Sequence, residues 1–202
     1  MRPDPARRGY RMGAAQTHSL TGPFLLPGNV HSVWITLAAC AAMAQAGPYS
    51  PPAGSTGSEA VPATSTRFVA WATAFTNYVV GSECDVQFQT PLKALGPAVD
   101  DVFDVVSLGR GGQITLLVDP PIAYVPGYDF AVFENGITPM FLEFAYVDVS
   151  SDGTTFFRFT SDSLTPGPIG PYEEALDATD IDGLAGTFAV SQGTPFDLSD
   201  LP

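Results

Sequence analysis

Cysteine and histidine are scarce in this 202-residue chain, which has two of each. His18, His31 and Cys40 all lie in the first 46 residues, so only Cys84 follows them. The absence of histidine after residue 46 excludes a Ser-His-Asp triad, a Cys-His pair and a His-ligated zinc from that part of the chain. A single thiol also excludes an intrachain disulfide there. Cys84 is then either a buried apolar residue or a thiol that pairs between chains.

Positive charge is also sparse, with eight Lys and Arg against 21 Asp and Glu and a formal net charge of −13. Four of the eight basic residues are arginines that precede residue 46, which leaves four against 20 carboxylates, a formal charge of −16, in the remainder. A surface this acidic repels phosphate backbones and anionic lipid heads, because affinity for both depends on Lys and Arg. We therefore expect no nucleic-acid partner and no binding to a membrane surface.

The first 46 residues predict a secretion signal. Their arginines are followed by an apolar run at residues 33–42 and by Ala44-Gln45-Ala46, the small-x-small pattern that signal peptidase accepts. The run is shorter than the ~20 apolar residues of a spanning helix, so we expect cleavage after Ala46 and no transmembrane segment in the mature chain. Two alternatives stay open: residues 37–40 match a bacterial lipobox that would lipidate Cys40, and Met12 offers a later start.

Glycine and proline are plentiful, at 20 and 19 residues, which favours many turns and few long helices. Residues 113–118 and 129–134 have strand composition between turn residues. Residues 144–150 and 155–159 flank Ser151-Asp152-Gly153, and this pattern predicts a β-hairpin. Residues 68–75 fit either a short amphipathic helix or a strand.

Short strands separated by turns, with no βαβ alternation, predict one all-β domain built as an antiparallel β-sandwich or jelly roll. Residues 1–46 are assigned to the signal peptide and residues 47–65, rich in Pro, Gly, Ser and Thr, to a flexible leader. Residues 66–202 form the predicted β-sandwich domain. The segment 196–202 contains no pattern for a closing strand.

Five blocks in order along the chain are distinctive: residues 91–97, 106–116, 129–135, 147–153 and 181–186. Together they resemble a family of exported bacterial cell-surface proteins, many of which end in a PEP-type C-terminal sorting signal. The block Val147-Asp148-Val149-Ser150-Ser151-Asp152-Gly153 is also similar to the hairpin of discoidin-like, galactose-binding-like jelly rolls. Such proteins continue past the Phe-Asp-Leu segment, so the resemblance implies that this domain lacks its last strands.

Acidic residues between the strands predict calcium as the bound ion, because this hard cation takes six to eight oxygen ligands and needs no histidine. Asp129, Glu134 and Asn135 bracket one predicted strand, while Asp180 and Asp182 are two residues apart on an extended segment. Each cluster is interpreted either as a calcium site or as a set of turn and edge residues.

Aromatic side chains predict platforms for sugar rings, and three of the candidates, Tyr124, Tyr128 and Tyr172, fall in loop-like segments. The leading hypothesis is a non-enzymatic, secreted or cell-surface β-sandwich module that binds glycans or the extracellular matrix, with calcium as its candidate stabilising ion. Two others stay open. One is a carbohydrate-active enzyme that uses paired carboxylates, and the other is a purely structural extracellular protein.

Overall fold

The structure is a computed structural model that describes residues 46–167 and 176–202, together with the backbone of residues 11–13. Within these residues the chain is β-rich, and its helices are all short 3-10 turns. The 3-10 helices are Val86–Phe88, Pro91–Ala94, Ala178–Asp180 and Leu198–Asp200. The strands are β1 (Arg11–Gly13), β2 (Val61–Pro62), β3 (Ala72–Val79), β4 (Gln113–Val118), β5 (Phe130–Phe133), β6 (Asp148–Ser150), β7 (Phe157–Arg158), β8 (Asp162–Ser163), β9 (Ile181–Asp182) and β10 (Gln192–Phe196).

The described strands form three small sheets in which every pairing is antiparallel. The first has the order β3-β4-β1-β6-β7, the second β2-β10-β5, and the third joins β8 to β9. The described residues therefore agree with the coarser part of the fold prediction, a β-rich chain with antiparallel sheets.

Two strands lie where local composition predicts them. Strand β4 has the predicted bounds, and β5 occupies the centre of the predicted segment 129–134. At residues 68–75 the structure selects the strand over the helix, because β3 begins at Ala72 and pairs with β4. Phe68 and Trp71 precede β3 and pack against Phe133, with ring centroids 5.6 and 5.4 Å away.

The predicted hairpin is confirmed, with β6 paired to β7. Its turn is held by side chains: Ser150 Oγ accepts from Gly153 N at 2.9 Å, and Asp152 Oδ1 accepts from Thr154 N and Thr155 N at 2.7 and 2.8 Å. Donors of this kind favour the charged carboxylate and lower the pKa of Asp152. Gly153 has a φ of 73°, a conformation that glycine adopts without steric penalty.

The core joins the first two sheets through three phenylalanines, which we call the phenylalanine cluster: Phe130, Phe159 and Phe196. Phe196 lies 5.3 Å from Phe130 and 4.9 Å from Phe159 between ring centroids. Because β5 and β10 belong to one sheet while Phe159 follows β7 of the other, these contacts fasten the two sheets together. The buried core residues are Ile122, Ala145, Val147, Val149, Phe159, Ala185, Phe196 and Leu198.

Strand β10 is absent from the sequence prediction, because Gly193 and Pro195 are poor strand formers. The structure shows why Gly193 and Pro195 are nevertheless accommodated in this strand. A Cβ on Gly193 would lie 2.8 Å from Phe133 Cζ and 3.0 Å from Ala131 Cβ, so a larger residue would have to displace side chains of β5. Among the described strands, β2 covers only Gln192 and Gly193, which leaves Pro195 with a neighbour on one side, where proline is tolerated.

Residues 47–65 contact the rest of the domain at several points. Gly47 N donates to Thr179 Oγ1 at 2.6 Å, and Tyr49 N donates to Thr179 O at 3.0 Å. Val61 in β2 is buried and pairs with Gly193. The flexibility assigned to this segment stays a prediction, as does the secretion signal, which lies mostly outside the described residues.

Membrane crossing by a helix has no support in the part of the chain that the structure describes, since no helix there is both long and apolar enough. Cys84 is partly buried, with Sγ 3.4 Å from Ser107 O. Cys40, the alternative lipidation site, lies outside the described residues.

Candidate functional site

A cavity of about 1040 Å³, here called the inter-sheet cavity, is lined by residues of β3 and β4 on one side and of β5 on the other. Its aromatic wall consists of Phe68, Trp71 and Phe133, which all contact one another at centroid distances of 4.9 to 5.6 Å. This volume is at the upper end of the range for small-molecule sites, which are mostly apolar and aromatic.

The mouth of the cavity exposes apolar side chains to solvent. Val69 and Leu92 line it and are 93% and 66% exposed, and Val99 and Val125 are both 47% exposed. Exposed apolar side chains that border a single concave surface mark binding sites, because water contact with them is unfavourable. A ligand that covers the mouth therefore removes these side chains from water, which is favourable for binding.

Polar and charged residues also line the cavity, and several of them fasten its walls. Lys93 Nζ lies 2.6 Å from Asp104 Oδ1. Asn135 Nδ2 donates to Val102 O at 3.1 Å, which ties the end of β5 to the 101–104 loop. Cavities with a few placed polar groups orient their ligands through those groups.

Glu134 is the carboxyl group in this cavity with the strongest perturbation. Burial raises its pKa to about 8, and the charge of Glu143 contributes in the same direction. Burial also raises the pKa of Glu143, which lies nearer to solvent. Glu134 is consequently protonated at neutral pH and presents both a donor and an acceptor to the cavity.

The stability of the protein is expected to depend on pH through Glu134. Its pKa in the folded state is raised above the ordinary 4.5, so the folded chain keeps a proton that the unfolded chain releases between pH 4.5 and about 8. The free energy of unfolding therefore falls as pH rises through this window, by at most about 1.4 kcal/mol per pH unit for one proton. We expect less, because the side chain is only partly buried.

The Glu134→Gln variant is expected to have a shallower slope, the remainder coming from the raised pKa of Glu143, and to be more stable than the parent at pH 8, with similar stability at pH 4. Urea unfolding from pH 4 to 9 measures the effect. Glu143→Gln is the matched control. It removes the neighbouring charge, so the pKa of Glu134 is raised less and the pH range over which stability falls is narrower but still present. Equal slopes in the parent and Glu134→Gln would contradict the assignment.

The predicted calcium ligands around β5 do not converge on one ion. Asp129 precedes the strand and Glu134 follows it, and five residues at about 3.3 Å each place them roughly 17 Å apart. Both Asp129 oxygens accept backbone donors, from Val125 N at 2.7 Å and Leu198 N at 2.8 Å.

Asp180 and Asp182, the second predicted pair of calcium ligands, lie in different environments. Asp182 is exposed and lies opposite Asp162 in the β8–β9 pair, whereas Asp180 lies beside Gly47. Asp182, Tyr49 and Glu59 line a smaller space of about 380 Å³, here called the acidic cleft.

Two tyrosines donate to carboxylates around the acidic cleft. The hydrogen bond to Asp162 raises the pKa of Tyr49 to about 12. Burial, followed by a hydrogen bond to Glu59, raises the pKa of Tyr128. No group of three or more Cys, His, Asp or Glu within residues 46–167 and 176–202 is arranged to hold a metal ion. Calcium binding stays a prediction.

Of the three predicted sugar platforms, Tyr128 lines the inter-sheet cavity, Tyr124 is 60% exposed outside that lining, and Tyr172 lies beyond the described residues. The cluster of Phe68 and Trp71 with Phe133 could not be found from sequence, because β5 contributes its ring from a distant part of the chain. The chain has no match among protein-family models, curated proteins or solved structures.

Proposed function

We propose that the chain is a secreted or surface-associated, non-enzymatic β-sandwich module of the jelly-roll type that binds a glycan in the inter-sheet cavity. The observation that carries this proposal is the cavity of about 1040 Å³ with an aromatic wall and an exposed apolar mouth. Export is supported by the signal pattern in residues 1–46, and the sandwich by the core that two sheets share.

A sugar ring suits this cavity chemically. Its C–H face packs on aromatic rings, and Trp71 and Phe133 offer such rings 5.4 Å apart. Its hydroxyl groups need paired donors and acceptors, which the protonated Glu134 supplies. The net charge of −13 disfavours anionic sugars, so we infer a neutral or cationic glycan.

Trp71→Ala is expected to weaken glycan binding at least tenfold, because it removes the largest ring of the aromatic wall. A glycan array identifies the ligand, and titration calorimetry measures the loss. Tyr124→Ala is the matched control, since this exposed aromatic lies outside the cavity lining, and its affinity should equal that of the parent. Loss of binding in Tyr124→Ala but not in Trp71→Ala would mean that the sugar binds at Tyr124, in the loop before β5.

Calcium is tested in the same preparation. A folded-state ion site raises the melting temperature when millimolar calcium follows chelation, because a ligand that binds only the folded state stabilises it. An unchanged melting temperature removes calcium from the proposal. No shift with calcium and no glycan bound would together favour the purely structural protein.

A carbohydrate-active enzyme is the second candidate, favoured by the electrostatic coupling of Glu134 and Glu143. Glycosidases pair a protonated carboxyl with an ionised one across the scissile bond. Turnover on a panel of glycans that disappears in Glu134→Gln would establish this activity and overturn the non-enzymatic proposal.

A further inference from the structure

We propose that the gap between β4 and β6 is an acceptor site for a β-strand, which Arg11–Gly13 fills in the precursor and which an extended, basic peptide of a partner fills after export. This inference rests on the export that is part of the proposed function. It adds an interaction surface, separate from the inter-sheet cavity, and the kind of partner that fits it.

Strand β1 has neighbours on both sides. Met12 and Gly13 pair with Leu116 and Thr115 of β4. On the other side, Met12 and Gly13 pair with Val149 and Asp148 of β6. Neighbouring strands lie about 4.8 Å apart, so β4 and β6 are separated by about twice that distance. The gap is one strand wide.

The residues that border the gap lie in the interior of the domain. Val149 and Ser150 of β6 are 0% exposed, and Thr115 of β4 is 7% exposed. Removal of β1 leaves the inner edges of β4 and β6 with unpaired N–H and C=O groups, which buried backbone rarely tolerates. Two facing edges are a stronger template for strand addition than the single edge used in β-augmentation.

The strand that fills this gap belongs to the segment that the export pattern marks for removal. Cleavage after Ala46 separates residues 11–13 from the domain, so the exported form needs another occupant. The domain that remains has four basic residues against 20 carboxylates. Electrostatic attraction therefore favours a basic segment.

The test uses the full chain with a protease site inserted after residue 20, so that cleavage leaves β1 without a covalent link to the domain. A labelled peptide of residues 8–16 is the probe, and fluorescence anisotropy measures its binding. We expect saturable binding to the cut chain and binding at least tenfold weaker to the uncut chain, in which the tethered strand competes.

Two peptide variants separate strand pairing from general attraction. Met12→Pro removes a backbone donor at the centre of β1 and should weaken binding at least tenfold. Ala15→Pro, outside β1, is the matched control and should bind like the parent peptide. Arg11→Glu should bind more weakly, and by a margin that shrinks as salt is added.

Equal binding of the Met12→Pro and parent peptides, or no binding by the cut chain, would overturn the acceptor site. Equal binding of Arg11→Glu and the parent peptide would overturn the basic partner. Mass spectrometry of the exported protein tests export separately: an N-terminus that retains residue 11 contradicts the proposed processing, while the peptide assay still reports on the gap.

Discussion

Replacement of Phe159 by alanine is expected to lower the free energy of unfolding by about 3–5 kcal/mol, the range for truncation of a buried aromatic residue. Phe159 is 4% exposed and contacts both Phe130 and Phe196 in the phenylalanine cluster. Its loss leaves a cavity where the two sheets meet, so the change affects cohesion of the whole domain. Urea denaturation and a fall in melting temperature of roughly 10 °C measure it.

Phe157 provides a matched control on the same arm of the hairpin. It is 49% exposed, two residues before Phe159, so the two side chains have the same chemistry and differ in burial. Phe157→Ala should change the free energy of unfolding by less than about 1 kcal/mol. Similar losses in the two variants would mean that Phe159 does not lie in the core shared by the two sheets.

Gly186→Ala is expected to destabilise the fold by several kcal/mol or to prevent folding. Gly186 has a φ of 89°, and a Cβ there would lie 1.8 Å from the backbone oxygen of Glu143 and 3.2 Å from Cγ of Glu134. Backbone atoms cannot move aside as a flexible side chain can, so the β-carbon forces the chain segments apart. Soluble yield and chemical denaturation measure the outcome.

Comparison of Gly186→Ala with Gly127→Ala isolates the steric part of this effect. Gly127 has a φ of 90°, almost the same as Gly186, but a Cβ there meets no atom within 4 Å. The control therefore carries only the conformational penalty of a left-handed backbone, about 1–2 kcal/mol. If the two alanine variants are equally stable, the close approach of Gly186 to Glu143 is not present in the protein.

The strands that sequence predicts are those whose signal is local. Strand β4 is a run of β-branched and apolar residues between turns, and the β6–β7 hairpin carries Asp152 and Gly153 in its turn. Strand β10 has no such local signal, because the small residue Gly193 packs against the ring of Phe133, more than fifty residues away. A requirement of this kind has no trace in the local pattern.

The same distinction holds for the candidate sites. Asp129 and Glu134 are predicted together because they bracket one strand, yet an extended strand separates its two ends. Asp129 holds the C-terminal segment through Leu198 N, while Glu134 becomes a protonated acid inside a cavity. Charge and spacing along the chain identify both as notable residues, but burial and partners determine what each carboxyl group does.

The sequence by itself determined the β-rich character, the positions of β4, β5 and the hairpin, and the acidic, histidine-free composition of everything after residue 46. Composition and short-range periodicity are sufficient for these, because turns and strand propensity act over a few residues. The tertiary structure alone decided the aromatic wall, the pKa of Glu134, and the insertion of Arg11–Gly13 between β4 and β6. Each of these depends on contacts between distant segments, which form only when the chain is folded.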